Sequence, residues 1–348
     1  VLGDLHLSDK KLRNDYLESF EESVFFEVFS KIYDIIIEHN ITKLILNGDI
    51  FNVPPLNTSL IMFDKFIKNI PNRENIEMYG IDGNHCLVES VNKKAYYLET
   101  MKDFIKDNYN IEILSFDEIG KHLYCSHKHI HKLERLNKNV DIVFSHFRSG
   151  IQSVASDEID ISMLEQRAKL VVLSDIHMRL NYSNIVYTGS PIDTHFSSSN
   201  SLQDHTPSVL LLNTETLEWK WATTLTNKFR KYKRVYSSVK KFLEEVDSLR
   251  EDAVENNNFY KIIVQDKKIN LRKIDAKDYK EFAILELMKT DLDFTSENKE
   301  VVIKIAESLS SNDISDNLLE FIIKNCDHPE YIDAVKSAYA NYEIGVNK

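Results

Sequence analysis

The sequence predicts a layered α/β fold, followed by a smaller α/β unit and a run of helices. Three observations lead there. Aliphatic runs of four to six residues recur between residues 1 and 192 without clean polar alternation, the pattern of strands buried on both faces. Amphipathic stretches separate the early runs, which gives βαβ units. Five of the runs stop at a polar cluster of Asp, Asn or His.

The elements follow in order. The chain opens VLGDLHLS (1–8), an apolar run ending in Asp4 and His6. It lacks an initiator Met, so the first strand is expected to begin before Val1. Residues 18–39 place Phe20, Val24, Val28, Ile32 and Ile36 at helical spacing, a long amphipathic helix. TKLILNGDIF follows, and a second helix is expected over 57–70, capped by Asn57 or Thr58. Next come IEMYGIDGNH (76–85), a helical stretch near 91–107, a β-rich stretch near 111–130 and VDIVFSH (140–146). KLVVLSDIH (169–177) and NIVYTGSPI (184–192) complete the series.

Residues 196–207 read as a polar loop, and SVLLLNTETLEWKWATTL as a β-hairpin. From about 226 the texture changes: KYKRVYSS suits a strand, VKKFLEEVDSLREDAVEN a helix and FYKIIVQDKKINLRKI a pair of strands. After 288 the pattern is short helices, near 296–309, 316–325 and 329–341, each with an apolar stripe. The expected domains are therefore 1–225, 226–287 and 288–348. No periodic repeat marks a solenoid.

Hydrophobic and charged contents of 43% and 28% support a full core. No apolar run approaches the ~18–20 residues of a membrane helix, and no signal peptide is visible. Three scattered cysteines (Cys86, Cys125, Cys326) suit neither a disulfide framework nor a zinc cluster, so a reducing cytoplasm is expected. A net charge of −12 argues against a free-standing nucleic-acid binder. The charge is uneven, however: Trp219 to Leu243 carries eight basic residues and no acidic one. Two readings stand, a solvated face or a phosphate-contacting strip. The second makes Lys228, Arg230, Lys231, Lys233 and Arg234 candidate DNA contacts, since Phe229, Tyr232 and Tyr236 interleave with them.

The polar clusters carry the chemistry. They are Asp4 and His6, Asp49 in NGDIF, Asn84 and His85 in DGNHC, His146 in FSHF, and Asp175 and His177 in SDIH. Open α/β sheets place ligands at the carboxyl ends of their strands. Ordinary loops use Asp and Asn freely but do not need His at stop after stop. In an extended segment residues i and i+2 share a side, so Asp4 with His6, and Asp175 with His177, are each expected to converge on one point. Carboxylates and amide carbonyls are hard ligands and imidazole is intermediate, a mixture that favours Mn²⁺ or a similar ion over calcium. Two such ions about 3.5–4 Å apart clamp an in-line displacement at phosphorus.

The motifs GDLH, GD, GNH, a lone His and a final near-Gly-His-x-His resemble those of the calcineurin-like metallophosphoesterases, over roughly residues 1–222. Within that superfamily the chain is similar to the SbcD / Mre-type nuclease subunits, including those of large DNA phages. That narrower resemblance rests on GDIF followed by NVPP, on YTGSPI after the last motif, and on the cap and terminal helices. It implies a layered αββα sandwich with a small α/β cap and a C-terminal helical segment. It further implies that Asp4, His6, Asp49 and His177 hold one metal, and that Asp49, Asn84, His146 and Asp175 hold the other, with Asp49 bridging. Two divalent ions are implied, Mn²⁺ first and Mg²⁺ as the alternative. His85 would sit over the scissile phosphate as a catalytic residue, work suited to imidazole. The implied activity is hydrolysis of DNA phosphodiesters in repair or recombination, 3′–5′ on duplex ends and internal on single strands. The implied partners are an SbcC / Rad-type ABC ATPase, gripped at its coiled coil by the C-terminal helices, and a second copy of the catalytic domain. A stand-alone phosphodiesterase or phosphatase, or a non-catalytic scaffold of the ATPase, are the alternatives.

Two positions depart from the family. Asp175 stands where the family has His, and as a third anionic ligand would lower the charge of the centre and favour Mn²⁺ or Mg²⁺ over Zn²⁺. Cys86 stands where the family has an acidic residue, which leaves the group that orients His85 open, with Asp82 nearby in sequence. Three further features have structural explanations first. HKHIHK (127–132) puts its histidines on one face of a strand or hairpin, as a surface stripe. Leu60, Phe63 and Ile67 share a helix face that suits core packing or a dimer interface equally. Trp219 and Trp221 suit packing on the hairpin.

Overall fold

Helical spacing in the first forty residues builds the long helix Asp15–Glu38, whose Val24, Val28, Ile32 and Ile36 are buried. In the computed structural model the described residues are 1–8, 15–55, 57–90, 93–149, 162–193, 197–198, 206–266 and 274–289. They belong to one unit, Val1–Lys289. A second unit, Thr290–Lys348, lies outside the described residues, and with it the expected terminal helices.

The first unit is layered. Strands Lys43–Asn47, Glu77–Ile81 and Ile111–Leu114 pair in parallel in that order. A six-stranded mixed sheet runs Leu180–Tyr182, Ile185–Tyr187, Ala168–Ser174, Val140–His146, His122–Cys125, Phe116–Ile119. Ile45, Ile81 and Leu114 of the first sheet pack with Tyr124, Ile142, Phe144 and Val172 of the second. The alternate residues Leu123, Val143, Val171 and Leu173 face outward, onto Leu133 and Leu164 of the helical segments His127–Arg135 and Ser162–Arg167. That period-two division is what a sheet buried on both faces requires. Helices Asp15–Glu38 and Asn57–Lys68 cover the other side of the first sheet. The expected αββα sandwich is the fold observed.

The hairpin Ser208–Leu212 with Trp219–Thr223 forms as expected, and the Trp221 indole N–H donates to the Tyr187 carbonyl at 2.9 Å. Beyond it, Lys231–Tyr236, Phe259–Asp266 and Ala283–Lys289 form a parallel sheet backed by the helix Val239–Asn256, with Ser197–Ser198 pairing at the edge. Of the strand pair expected in 259–274, the first strand is Phe259–Asp266. Its partner is Ala283–Lys289, and residues 267–273 lie outside the described set.

Three local expectations differ. Residues 93–96 are a strand paired with Leu87–Ser90, and helix begins only at Tyr97. Pairing with the adjacent strand overrides the helical spacing there. HKHIHK opens a 3₁₀ helix, not a strand, so its alternate histidines do not share a face. Phe63 and Ile67 are fully buried in the core, which assigns that stripe to packing. Among the described residues no helix is long and apolar enough to cross a membrane.

Candidate metal centre

Each cluster residue sits where a strand gives out. Asp49 comes two residues after Lys43–Asn47, Asn84 and His85 lie in a 3₁₀ turn after Glu77–Ile81, and His146 ends its strand. Asp175 and His177 follow Ala168–Ser174. Asp4 and His6 converge differently from the i, i+2 geometry of a strand. Residues 1–8 make isolated parallel bridges, Leu2 with Leu46 and Leu7 with Phe51, and between them Asp4 and His6 have φ of 54° and 50°. Asp49 and Asp175 share this left-handed backbone, at 46° and 89°. Such φ values are uncommon outside glycine and gather at functional sites, held by their surroundings. Here the surroundings are visible: the Ser190 hydroxyl donates to the Asp4 carbonyl at 2.9 Å, and the Asp175 N–H donates to the Asp4 carboxylate.

The glycines of the motifs are there for closeness. A Cβ on Gly83 would come 2.1 Å from Asp49 Oδ1, and one on Gly48, itself at φ 87°, 2.1 Å from His146 Nδ1.

Three overlapping groups result: Asp4, His6 and His177; Asp4, Asp49 and His146; His6, Asp49 and His85. Within each, the ligand atoms lie within 4.8 Å of one another. His6 Nε2 is 3.1 Å from His177 Nε2 and 3.8 Å from both Asp4 Oδ1 and Asp49 Oδ2. His146 Nε2 is 3.2 Å from Asp49 Oδ2 and 3.3 Å from Asn84 Oδ1. Asp4, Asp49 and His146 are fully buried. Seven of the eight residues expected at the centre are therefore gathered at it. Asp175 is present too, but its carboxylate is taken by Arg148, at 2.8 and 3.1 Å.

Does the centre suit a metal? His146 Nδ1 lies 2.9 Å from the Asn47 carbonyl, which can only accept, so Nδ1 carries the hydrogen. Nε2 then turns its lone pair to Asp49 Oδ2, a buried oxygen that receives no hydrogen bond. Acceptor faces acceptor, and a positive charge between them is required. With protons alone available, burial works against a charged His146, yet Asp49, Asp4 and Asp175 hold its pKa up. Burial pushes the Asp4 carboxyl up, with Asp49 and Asp175 adding and His146 opposing. Asp49 overcomes burial through His146, His6 and His85 and stays below the usual carboxylate range. Burial also lowers His6 to about 4, which keeps its imidazole neutral and free to ligate. Carboxylate, amide and imidazole donors together fit divalent first-row ions.

His85 stands exposed at the rim, its ring edge-on to His6 with centroids 4.9 Å apart. Its Nδ1 donates to the Asn52 carbonyl at 3.0 Å, so Nε2 is the nitrogen left for a substrate. The orienting group is thus main chain from the NVPP loop, neither Cys86 nor Asp82. Cys86 is buried, with Gly83 N–H on its sulfur at 3.4 Å, and Asp82 Oδ2 accepts from Glu99 N–H at 3.2 Å.

The basic strip divides. Arg230 pairs with Asp193 and Lys231 with Glu21, both at 2.6 Å, and these charges join the parallel sheet to the layered sandwich. Burial withdraws Lys231 from any strip open to DNA, and Arg230 is nearly covered. Arg234 lies over the rings of Tyr232 and Tyr260 at 5.4 and 6.0 Å, Lys233 is half-buried and Lys228 is exposed.

Sequence reasoning missed Arg148 and Asn52, as well as the layer under the site. There, Asn47 Nδ2 donates to Ser174 Oγ, and Ser174 contacts Thr188, each at 2.9 Å. Arg148 carried one signal: it is two residues after His146, hence on the same side of an extended chain.

The layered sheets and buried acid–imidazole cluster define a metal-dependent hydrolase of phosphoesters. Comparison with family profiles agrees, matching the calcineurin-like phosphoesterase family over residues 1–179, and the chain belongs to that family. No curated protein sequence matches the chain.

Proposed function

We propose that this protein is the nuclease subunit of an SbcC / Rad-type ATPase complex, hydrolysing DNA phosphodiesters at two divalent cations, Mn²⁺ first. Asp4, His6, Asp49 and His177 would hold one cation; Asp49, Asn84 and His146 would hold the other. Bound there, the cations supply an activated water near neutral pH and positive charge for the phosphoryl oxygens. His85, with Nδ1 fixed on Asn52, presents Nε2 to the leaving oxygen and protonates it. The observation that carries the reading beyond phosphoester hydrolysis is the added parallel sheet, 231–289, joined to the catalytic sandwich by the pairs at Arg230 and Lys231. A hydrolase of small phosphoesters has no use for an added sheet fixed to its sandwich, whereas a polymer substrate needs surface on both sides of the cut. Docking of the ATPase on residues 288–348, and a homodimer of the catalytic domain, belong to the same reading.

One observation favours a stand-alone phosphodiesterase. Two of the five basic residues expected to meet DNA are engaged within the chain. The deciding assay compares Mn²⁺-dependent cleavage of end-labelled DNA, single- and double-stranded, with that of a chromogenic phosphodiester, with and without the ATPase. DNA cleavage that falls about 10²–10⁴-fold in His85→Ala, with metal binding intact, is the expected result. Fast turnover of the small ester with poor DNA cleavage would establish the alternative. Inertness toward both, with the ATPase present, would leave only a scaffold.

A further inference from the structure

We infer that Asp175 is a positioning residue in this protein and not a metal ligand: clamped by Arg148, it holds the Asn84 amide so that the amide oxygen faces the second cation site. The inference rests on the two-cation reading above.

Both carboxylate oxygens of Asp175 have an assignment. Oδ2 accepts from Arg148 Nε at 2.8 Å, and Oδ1 from Arg148 Nη2 at 3.1 Å and Asn84 Nδ2 at 3.4 Å. The side chain is 2% exposed, so water competes little. A guanidinium fork on a carboxylate fixes both orientation and plane, which a single donor cannot. With Nδ2 held, Asn84 Oδ1 is turned to His146 Nε2 at 3.3 Å and accepts from His85 N–H at 3.0 Å. Reversing the amide would set two donors against each other at His85 and remove the ligand oxygen. The backbone N–H of Asp175 meanwhile donates to both Asp4 oxygens, at 3.2 and 3.1 Å. One residue thus fixes a ligand in each half of the centre.

Two consequences separate this arrangement from a third anionic ligand. The Arg148 guanidinium offsets part of the charge of Asp175, so this carboxylate adds less negative charge to the centre than a third ligand would. The second site keeps three protein ligands against four at the first, so its cation binds more weakly.

The test is a calorimetric Mn²⁺ titration of the metal-free, full-length protein. Wild type is expected to bind two ions, one tightly and one weakly. Arg148→Ala, which removes no atom able to ligate, is expected to weaken the weak site about 10–100-fold and leave the tight one unchanged. Asp175→Ala should weaken the same site by a similar factor, and the double variant no further, because the two act as one unit. Arg148→Lys keeps the charge without the fork and should recover only part of the loss. If Asp175 were a ligand, Arg148→Ala would free its carboxylate, and the weak site would hold steady or tighten. That result overturns the inference while leaving two cations in place, as does full recovery with Lys. A wild type that binds no Mn²⁺ would overturn the two-cation reading, and this inference with it.

Discussion

Two regions of this protein bury charge, and they do it in opposite ways. At the junction between the sandwich and the parallel sheet, Arg230 and Lys231 find their complements inside the chain. The Arg230 guanidinium meets Asp193 and the Thr226 carbonyl, its N–H meets Asn258, and the Lys231 ammonium meets Glu21. At the metal centre one facing pair is left unmatched: Asp49 Oδ2 receives no hydrogen bond, and the imidazole facing it has spent its hydrogen on Asn47. Burial and charge are common to both regions. What separates a structural tie from a reactive centre is whether donors and acceptors balance without help from outside.

Unbalancing the centre further should have the largest effect. Asp49 belongs to two of the three ligand groups and touches both halves. Asp49→Ala is expected to lower phosphodiester turnover at least about 10³-fold, since several kcal/mol of charge stabilisation go with the cations. Thermal unfolding gives a second readout. Mn²⁺ at a hundred times its Kd should stabilise the wild type by about 2.7 kcal/mol per site, chelation should remove that gain, and Asp49→Ala should never show it. A variant that still gained stability from Mn²⁺ would place the cations elsewhere.

The junction predicts the reverse pairing of effects. Arg230→Ala strands the nearly buried Asp193 carboxylate, so the protein should lose about 3–5 kcal/mol of stability. Its Mn²⁺ stoichiometry should stay at the wild-type value. Loss of metal binding together with stability would mean the two regions are not separate, and the comparison would fail.

The same contrast explains how much was legible in the sequence. Strand ends rich in Asp and His were readable, because ligand chemistry demands particular residue types and those sit beside apolar runs. The backbone that aims them was not. Asp4 and His6 looked like neighbours on a strand face, yet left-handed φ values bring them together, and Asp4 is held there by Ser190 and Asp175, more than 160 positions away. Charge partners were hidden for the same reason. Nothing in KFRKYKR tells Arg230 and Lys231, which pair with Asp193 and Glu21, from Lys228, which is exposed. Nor did FRSG disclose that Arg148 would claim the carboxylate expected to ligate a metal. The local patterns gave helices and sheets well except at 93–96 and 127–135. There a neighbouring strand and a 3₁₀ turn displaced the helix and strand that spacing alone suggested.

The smallest expected effect bears on the reading of the strip itself. Lys228 is exposed and has no ion-pair partner among the described residues, so its removal should leave stability and metal binding unchanged. If the strip meets DNA phosphates, Lys228→Ala should weaken binding uniformly across sequences and reduce the slope of log affinity against log salt by about 1. Arg230, already neutralised by Asp193, should contribute no such slope beyond what its loss of stability costs. Equal slopes in wild type and Lys228→Ala would remove this position from the DNA surface. The proposed DNA contact would then rest on Lys233 and Arg234, or on the proposed ATPase.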